Sequence, residues 1–393
     1  MRWWISGLSQ ISFPRFVPLS GTRGVGTRTS SSTAAAASTS SKVGRCMHVV
    51  IGRATLSPMT TLILNQDEIR GLLPMETCMG LVADALKTLG RGAGQNPLRQ
   101  GMLFRDGSGL IGMMPGALDE PRTVGLKVVG VFHNNHGTEF DSHQGVVLLQ
   151  DPDNGLPIGI FDASEITAIR TAAASGVATQ ALAREEAHEL AILGSGVQAR
   201  THLEAMCVAR DIKKVRVFSK TPARAAAFAE LESRRHGVSV VSTKTARQAV
   251  EGADIVCTAT SSSEPVLFGE WLKSGCHINA AGACVKDARE LDTYAVQRAR
   301  LFTDRRESAE NEAGGYLIPL AEGAITEDHL LGELHEVLSG ELVGRESPGD
   351  ITLFESLGIA VEDLVTAHFL LEEGRRKGVG TEVNLGGRAD APL

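Results

Sequence analysis

Apolar positions along the chain keep two rhythms. In residues 59–174, short apolar runs alternate with turn chemistry. Leu62–Leu64 predicts a short strand, Asn65 and Asp67 suit the cap of a short helix, and Met75–Leu89 has helical spacing at Met79, Val82, Ala83 and Leu86. Strands are predicted at Met102–Phe104, Leu110–Met114, Val124–Phe132 and Gly145–Gln150, with Pro157–Phe161 as a hairpin partner. Turn sequences such as Asp106-Gly107 and Asp151-Pro152-Asp153-Asn154-Gly155 separate them. This half reads as a mixed or antiparallel sheet.

The second rhythm follows an Ala-rich helical stretch, Ile166–Arg184. Strands at Glu189–Leu193, Val215–Ser219, Val238–Val241, Ile255–Thr258 and His277–Ala280 alternate with helices at Val197–Arg210, Pro222–Arg235 and Ala246–Glu251. Alternation at this spacing predicts a parallel, doubly wound sheet. Ile325–Val379 reads mostly as helix, with a short apolar stretch at Ile351–Phe354. The fold class is therefore α/β: a Rossmann-type doubly wound domain (175–320) beside a mixed-sheet α+β domain (59–174), to which residues 321–393 are expected to return.

Residues 1–58 differ in character. Residues 1–66 hold seven basic residues (Arg2, Arg15, Arg23, Arg28, Lys42, Arg45, Arg53) and no acid, and Thr29–Ser41 is a low-complexity run. That composition suits a transit peptide for a mitochondrion or plastid. The alternative is initiation at Met59 and a cytoplasmic protein. The whole chain carries a formal charge of -7, so the part after residue 66 is more acidic still, which argues against nucleic acid as a partner. No apolar run is long enough to predict a membrane span. The six cysteines (46, 78, 207, 257, 276, 284) form no C-x-x-C pair, so neither a zinc site nor any other metal centre is expected.

The sharpest chemical signal is Gly194-Ser195-Gly196-Val197-Gln198-Ala199, a G-x-G-x-x-A turn between the strand ELAIL and a helix. The first glycine makes the turn, the second lets a pyrophosphate approach the backbone, and the alanine lets helix and strand pack closely. The helix N-terminus then offers free N–H groups to phosphate. At the end of the next strand an NAD site usually places a carboxylate for the ribose 2'-hydroxyl. Here the residues are Ser219-Lys220-Thr221-Pro222-Ala223-Arg224. Lys220 and Arg224 would attract a 2'-phosphate, so NADP(H) is favoured over NAD(H). The competing reading leaves both as solvated surface charges. Thr258 and Thr260 fall at the carboxyl edge of the sheet, as coenzyme contacts or as turn hydroxyls.

Several segments together resemble the ornithine cyclodeaminase/mu-crystallin family from Met59 to about Leu385. They are Asn96-Pro97-Leu98-Arg99, Met114-Pro115-Gly116-Ala117, Gly125-Leu126-Lys127-Val128-Val129, the helix containing Arg170-Thr171, the glycine turn, His277 to Ala283, Arg289-Glu290-Leu291-Asp292, and Thr352 to Asp363. The resemblance implies a homodimer whose mixed-sheet domain forms the substrate pocket and the dimer contact. It assigns Arg99 to the substrate carboxylate, Lys127 to the active site, and Arg170 and Thr171 to the cofactor phosphate and the substrate's surroundings. Ala281 falls beside the coenzyme. Lys127 sits among Val124, Leu126, Val128 and Val129; a strand covered on both faces does not carry an unpaired lysine, whereas a half-exposed one can turn it to water. For Arg170 the plainer alternative is an interdomain salt bridge.

Cys284 is the informative departure. By the resemblance, cyclodeaminases carry Asp here and mu-crystallin-like reductases carry Ser. A neutral thiol is a poor base, so the resemblance favours a ketimine reductase over an ornithine cyclodeaminase, unless Asp287 compensates. An open-chain dehydrogenase and a non-catalytic small-molecule binder complete the alternatives.

Overall fold

The computed structural model describes residues 60–135 and 138–386. The transit-peptide expectation for residues 1–58 lies outside the described residues. Two eight-stranded sheets organise the rest.

The first sheet runs in the order Thr381–Val383, Thr61–Leu64, Pro157–Asp162, His143–Gln150, Arg122–Val131, Leu110–Asp119, Gly94–Gln95, with Gln100–Leu103 also on Leu110–Asp119. Thr61–Leu64 pairs in parallel with Pro157–Asp162, and the other pairs are antiparallel, so the sheet is mixed. Leu110–Met114 continues to Asp119 in spite of Pro115. The reason lies in the neighbours. Gln100–Leu103 covers Leu110 to Met113 and Gly94–Gln95 covers Ala117 and Leu118, so Pro115 falls in the gap between them and its missing N–H removes no ladder bond on that side.

The second sheet is parallel throughout, in the order Ser239–Ser242, Lys214–Phe218, Glu189–Leu193, Ile255–Thr258, His277–Ala280, Ile351–Glu355, Ala299–Thr303, Leu330–Glu333. This corrects the expectation for the C-terminal part. Ile351–Glu355 is fully buried between His277–Ala280 and Ala299–Thr303, and Leu330–Glu333 forms the sheet edge. The return to the first sheet begins only with the helix Ala360–Lys377 and ends with the strand Thr381–Val383.

The helix Ala163–Leu182 joins the two sheets. Its own residues are rich in alanine, it is buried on almost every side, and Gly176 lets Met79 approach it closely. Asp162 caps its start by accepting from the Glu165 N–H at 2.7 Å. Among the described residues no helix is long and apolar enough to cross a membrane.

Candidate active site

Three cations expected on separate segments come together where the helix Ala360–Lys377 crosses the first sheet. Along Arg122–Val131, burial alternates: Thr123, Gly125 and Lys127 face the helices, while Val124, Leu126 and Val128 are partly exposed. Gly125 faces Leu364 of the helix so closely that an added side chain would collide with it. Lys127 therefore points inward although the strand is half-exposed, and it is only 3% exposed. Its Nζ lies 2.7 Å from Asp363 Oδ2 and donates to Thr167 Oγ1 at 3.4 Å. Burial draws its ammonium down to about 8, Arg170 adds to that, and Asp363 opposes it.

Arg170 is equally buried. Its Nε donates to Asp363 Oδ1 at 2.9 Å and its Nη1 to Glu362 Oε2 at 2.8 Å. Burial pushes the Glu362 carboxyl up, and Arg170 pulls it back. All of these Arg170 bonds go to carboxylates of Ala360–Lys377 and none to the glycine turn. Thr171 is buried beside it in the same helix.

Arg99 reaches the cluster from the loop before Gln100–Leu103. Its Nη2 donates to Leu357 O at 2.8 Å and Gly358 O at 3.3 Å, and its Nε lies 2.8 Å from Glu312 Oε2. Asp304 holds the same turn from the other side, accepting from the Leu357 N–H at 2.8 Å and the Gly358 N–H at 2.6 Å. Gly358 has φ +73, and a Cβ there would lie 2.3 Å from Arg170 Nη1. Only glycine lets this turn touch both arginines. Cys284 is close by, with its thiol 3.7 Å from Ser356 O. Loss of water pushes that thiol up to about 11, with Arg99 opposing.

The dinucleotide turn lies at the carboxyl edge of the second sheet. Gly194 has φ +122, and a Cβ there would meet Ala259 O at 2.4 Å. Gly196 caps the helix Val197–Ala209 with no side chain, and nothing stands within 4 Å of a Cβ built on it. An open backbone cradle before a helix start fits a pyrophosphate. Gln198 donates to Thr167 O at 3.4 Å, which links this turn to Lys127 through one residue. At the neighbouring strand end Thr221, Lys220 and Arg224 are exposed, and Lys220 Nζ reaches Ser262 Oγ at 3.4 Å. The Ser219 hydroxyl accepts from the Thr221 N–H at 3.4 Å. No carboxylate stands at Ser219 to Arg224.

Glu290 organises the rest of that edge. It is 2% exposed and accepts four hydrogen bonds: from the Thr258 hydroxyl at 2.7 Å, the Thr260 N–H at 2.8 Å, the Thr260 hydroxyl at 2.6 Å and the Gly282 N–H at 2.7 Å. Thr258 and Thr260 thus donate to an internal carboxylate, and Ala281 donates its N–H to Thr258 O at 3.0 Å. Burial pushes the Glu290 carboxyl up while these bonds pull it down.

Sequence reasoning assigned no role to Glu362, Asp363, Glu290, Asp304, Glu312 or Thr167. A signal was present for one pair. Glu362 and Asp363 are adjacent acids inside the otherwise apolar run Leu357 to Val365, and buried acids need cationic partners. For the others no local pattern exists.

A family model described as ornithine cyclodeaminase/mu-crystallin family matches residues 59–378. The chain is 35% identical to a Delta(1)-pyrroline-2-carboxylate reductase of Bacillus cereus over 323 residues, which is 82% of this chain and 99% of that one. It is 38% identical to the ketimine reductase mu-crystallin of Mus musculus over 281 residues, 72% of this chain and 86% of that one. Among solved structures, the Thermococcus litoralis Delta(1)-pyrroline-2-carboxylate reductase in complex with NADH and L-proline superposes with a TM-score of 0.80 at 39% identity, covering 82% of this chain and 100% of that one. An archaeal alanine dehydrogenase dimer with bound NAD gives a TM-score of 0.79 at 30% identity, covering 83% and 100% of the two chains. With both sheets, the glycine turn and the cation cluster in place, the chain belongs to the ornithine cyclodeaminase/mu-crystallin family.

Proposed function

We propose that this protein reduces the C=N bond of small cyclic ketimine carboxylates, of the pyrroline-2-carboxylate and piperideine-2-carboxylate type, with NADPH as the preferred coenzyme and NADH as the second. The observation that carries the reading is the gathering of Arg99 and Arg170 around the turn at Leu357 and Gly358, with Lys127 joined to Arg170 through Asp363 and to the glycine turn through Thr167 and Gln198. The relatives that carry reductase names support the same reaction.

Bound reduced nicotinamide supplies a hydride to the imine carbon. The chain supplies the rest. Arg99 binds the substrate carboxylate, to which its planar guanidinium is matched. Lys127 holds a proton beside the imine nitrogen and gives it up as the carbon is reduced, directly or through a water; one hydride and one proton convert C=N to CH–NH. Lys127 then regains its proton from solvent. Asp363 and Glu362 keep Lys127 and Arg170 in place. Cys284, neutral at pH 7, provides no base for expelling ammonia. Gly194, Gly196, Val197 and Gln198 hold the pyrophosphate, and Ser219, Lys220, Thr221 and Arg224 surround the 2'-phosphate. Thr258, Thr260 and Ala281 shape the edge that receives the coenzyme. The active form is a homodimer, and residues 1–58 are a transit peptide on the strength of their composition.

The test is a panel of five- and six-membered cyclic ketimine carboxylates assayed with NADPH and NADH side by side. Loss of reduced-coenzyme absorbance is expected, with higher kcat/KM for NADPH. Ammonia release from ornithine without net change of coenzyme would replace this reading with a lyase.

A further inference from the structure

Arg99, the residue read above as the site of the substrate carboxylate, already faces a carboxylate of its own chain. Glu312 ends the helix Arg306–Glu312, and its Oε2 lies 2.8 Å from Arg99 Nε. Burial pushes the Glu312 carboxyl up, and the attraction to Arg99, chiefly coulombic, holds it down against that push. The other end of the guanidinium is fixed independently. Its Nη2 donates to the carbonyls of Leu357 and Gly358, whose N–H groups Asp304 holds. Arg99 therefore keeps its place whether or not Glu312 is charged.

We propose that Glu312 tunes the affinity of the site for the substrate carboxylate: it neutralises Arg99 in the empty site and must yield Nε to an incoming carboxylate, which weakens carboxylate binding, while a ligand without one leaves the Arg99–Glu312 pair undisturbed. This rests on the reading of Arg99 as the substrate-carboxylate residue. Arg99 is partly exposed, at 29% of its side chain, whereas Glu312 is 15% exposed with its paired Oε2 buried, so a ligand reaches the pair from the arginine side. Among the described residues, Arg99 is the cation that pairs with Glu312 within salt-bridge distance. Glu312 thus competes directly with any second anion at Arg99.

The competition has a measurable sign. Glu312→Gln keeps the shape and removes the charge. KM for the cyclic ketimine carboxylate, and Kd for L-proline measured by calorimetry, are expected to fall about three- to fivefold, the scale of a partly exposed ion pair. kcat is expected to stay within about twofold, because Glu312 does not touch the C=N bond. Prolinamide, which lacks the carboxylate, is expected to bind wild type and variant alike. Glu312→Asp, which retracts the charge, is expected to move KM in the same direction. Unchanged melting and NADPH binding establish that the variants are folded. A KM and Kd that rise or hold in Glu312→Gln would overturn the proposal and leave Glu312 as a support for Arg99. If wild type turns over no ketimine, the reductase reading fails, yet the proline and prolinamide titrations still decide the role of Glu312.

Discussion

Lys127 carries its charge on the covered face of a strand whose neighbours on that face are Thr123 and Gly125. Burial and Arg170 bring its ammonium down to about 8, so it is mostly protonated at pH 7 yet able to release the proton. The donor form is complete well below pH 8 and is lost as pH rises through that value. The kcat/KM for ketimine is therefore expected to fall above about pH 8, approaching roughly tenfold per pH unit. Lys127→Met is expected to lower kcat about 10²–10⁴-fold while NADPH binding, followed by fluorescence, holds. Arg170 Nε still holds Asp363 Oδ1 at 2.9 Å while Oδ2 loses its cation, so melting of the variant is followed beside its NADPH binding to separate lost chemistry from lost stability. A flat rate profile to about pH 10, or normal turnover by Lys127→Met, would remove Lys127 from the proton step. At this scale the cations themselves were legible and their partners were not. Apolar neighbours on both sides of Lys127 read equally as a strand covered on two faces or on one. Asp363 lies at the far end of the chain, and a pairing across that separation leaves no periodic trace. The Arg99–Glu312 pair escaped for the same reason.

The turn at Leu357 and Gly358 connects the buried strand Ile351–Glu355 of the second sheet to the helix Ala360–Lys377 that covers the first. It is a single short segment that touches Arg99 through its carbonyls, Asp304 through its N–H groups and Arg170 through the bare face of Gly358. Arg170 is pinned by Glu362 and Asp363, so it has little room to yield. Gly358→Ala is expected to destabilise the protein by about 1–3 kcal/mol, from strain at positive φ together with the clash. The denaturant midpoint reads that loss. KM for the ketimine is expected to rise as the Gly358 carbonyl shifts from Arg99, with NADPH affinity unaltered. Wild-type stability and KM together would mean that the turn relaxes freely and does not position the arginine. Elements bounded by Gly, Pro or Asp were readable from the sequence, as Glu189–Leu193 and Pro222–His236 were. Ala299–Thr303 was not, because it follows the helix Thr293–Arg298 directly, with no turn residue between them. Ile351–Glu355 was visible as an apolar stretch, but its sheet was not, since a parallel strand's neighbours are distant in sequence.

At the scale of the whole molecule, the change of rhythm near residue 190 announced two sheets, while the way each sheet is covered emerged only from the packing. The first sheet is covered by helices on one face. On the other, Val124, Leu126, Val128 and Leu148 are partly exposed and Val146 is exposed; Leu126 stands opposite Leu148 and Val128 opposite Val146. Beyond Leu110–Asp119, the strand Gln100–Leu103 exposes Met102 on the same face, opposite Ile111. A continuous apolar face of this kind marks an interaction surface, and a two-fold dimer buries the same face of both copies. The homodimer proposal places it here. Light scattering is expected to give twice the mass of one chain. Introducing Leu126→Arg and Val146→Arg together sets charges at the centre of that face without touching Lys127, which points the other way. The double variant is expected to scatter as a monomer and still bind NADPH, because the glycine turn belongs to the second sheet. A monomeric wild type would end the dimer proposal, and a dimer that survives both arginines would move the contact to another surface.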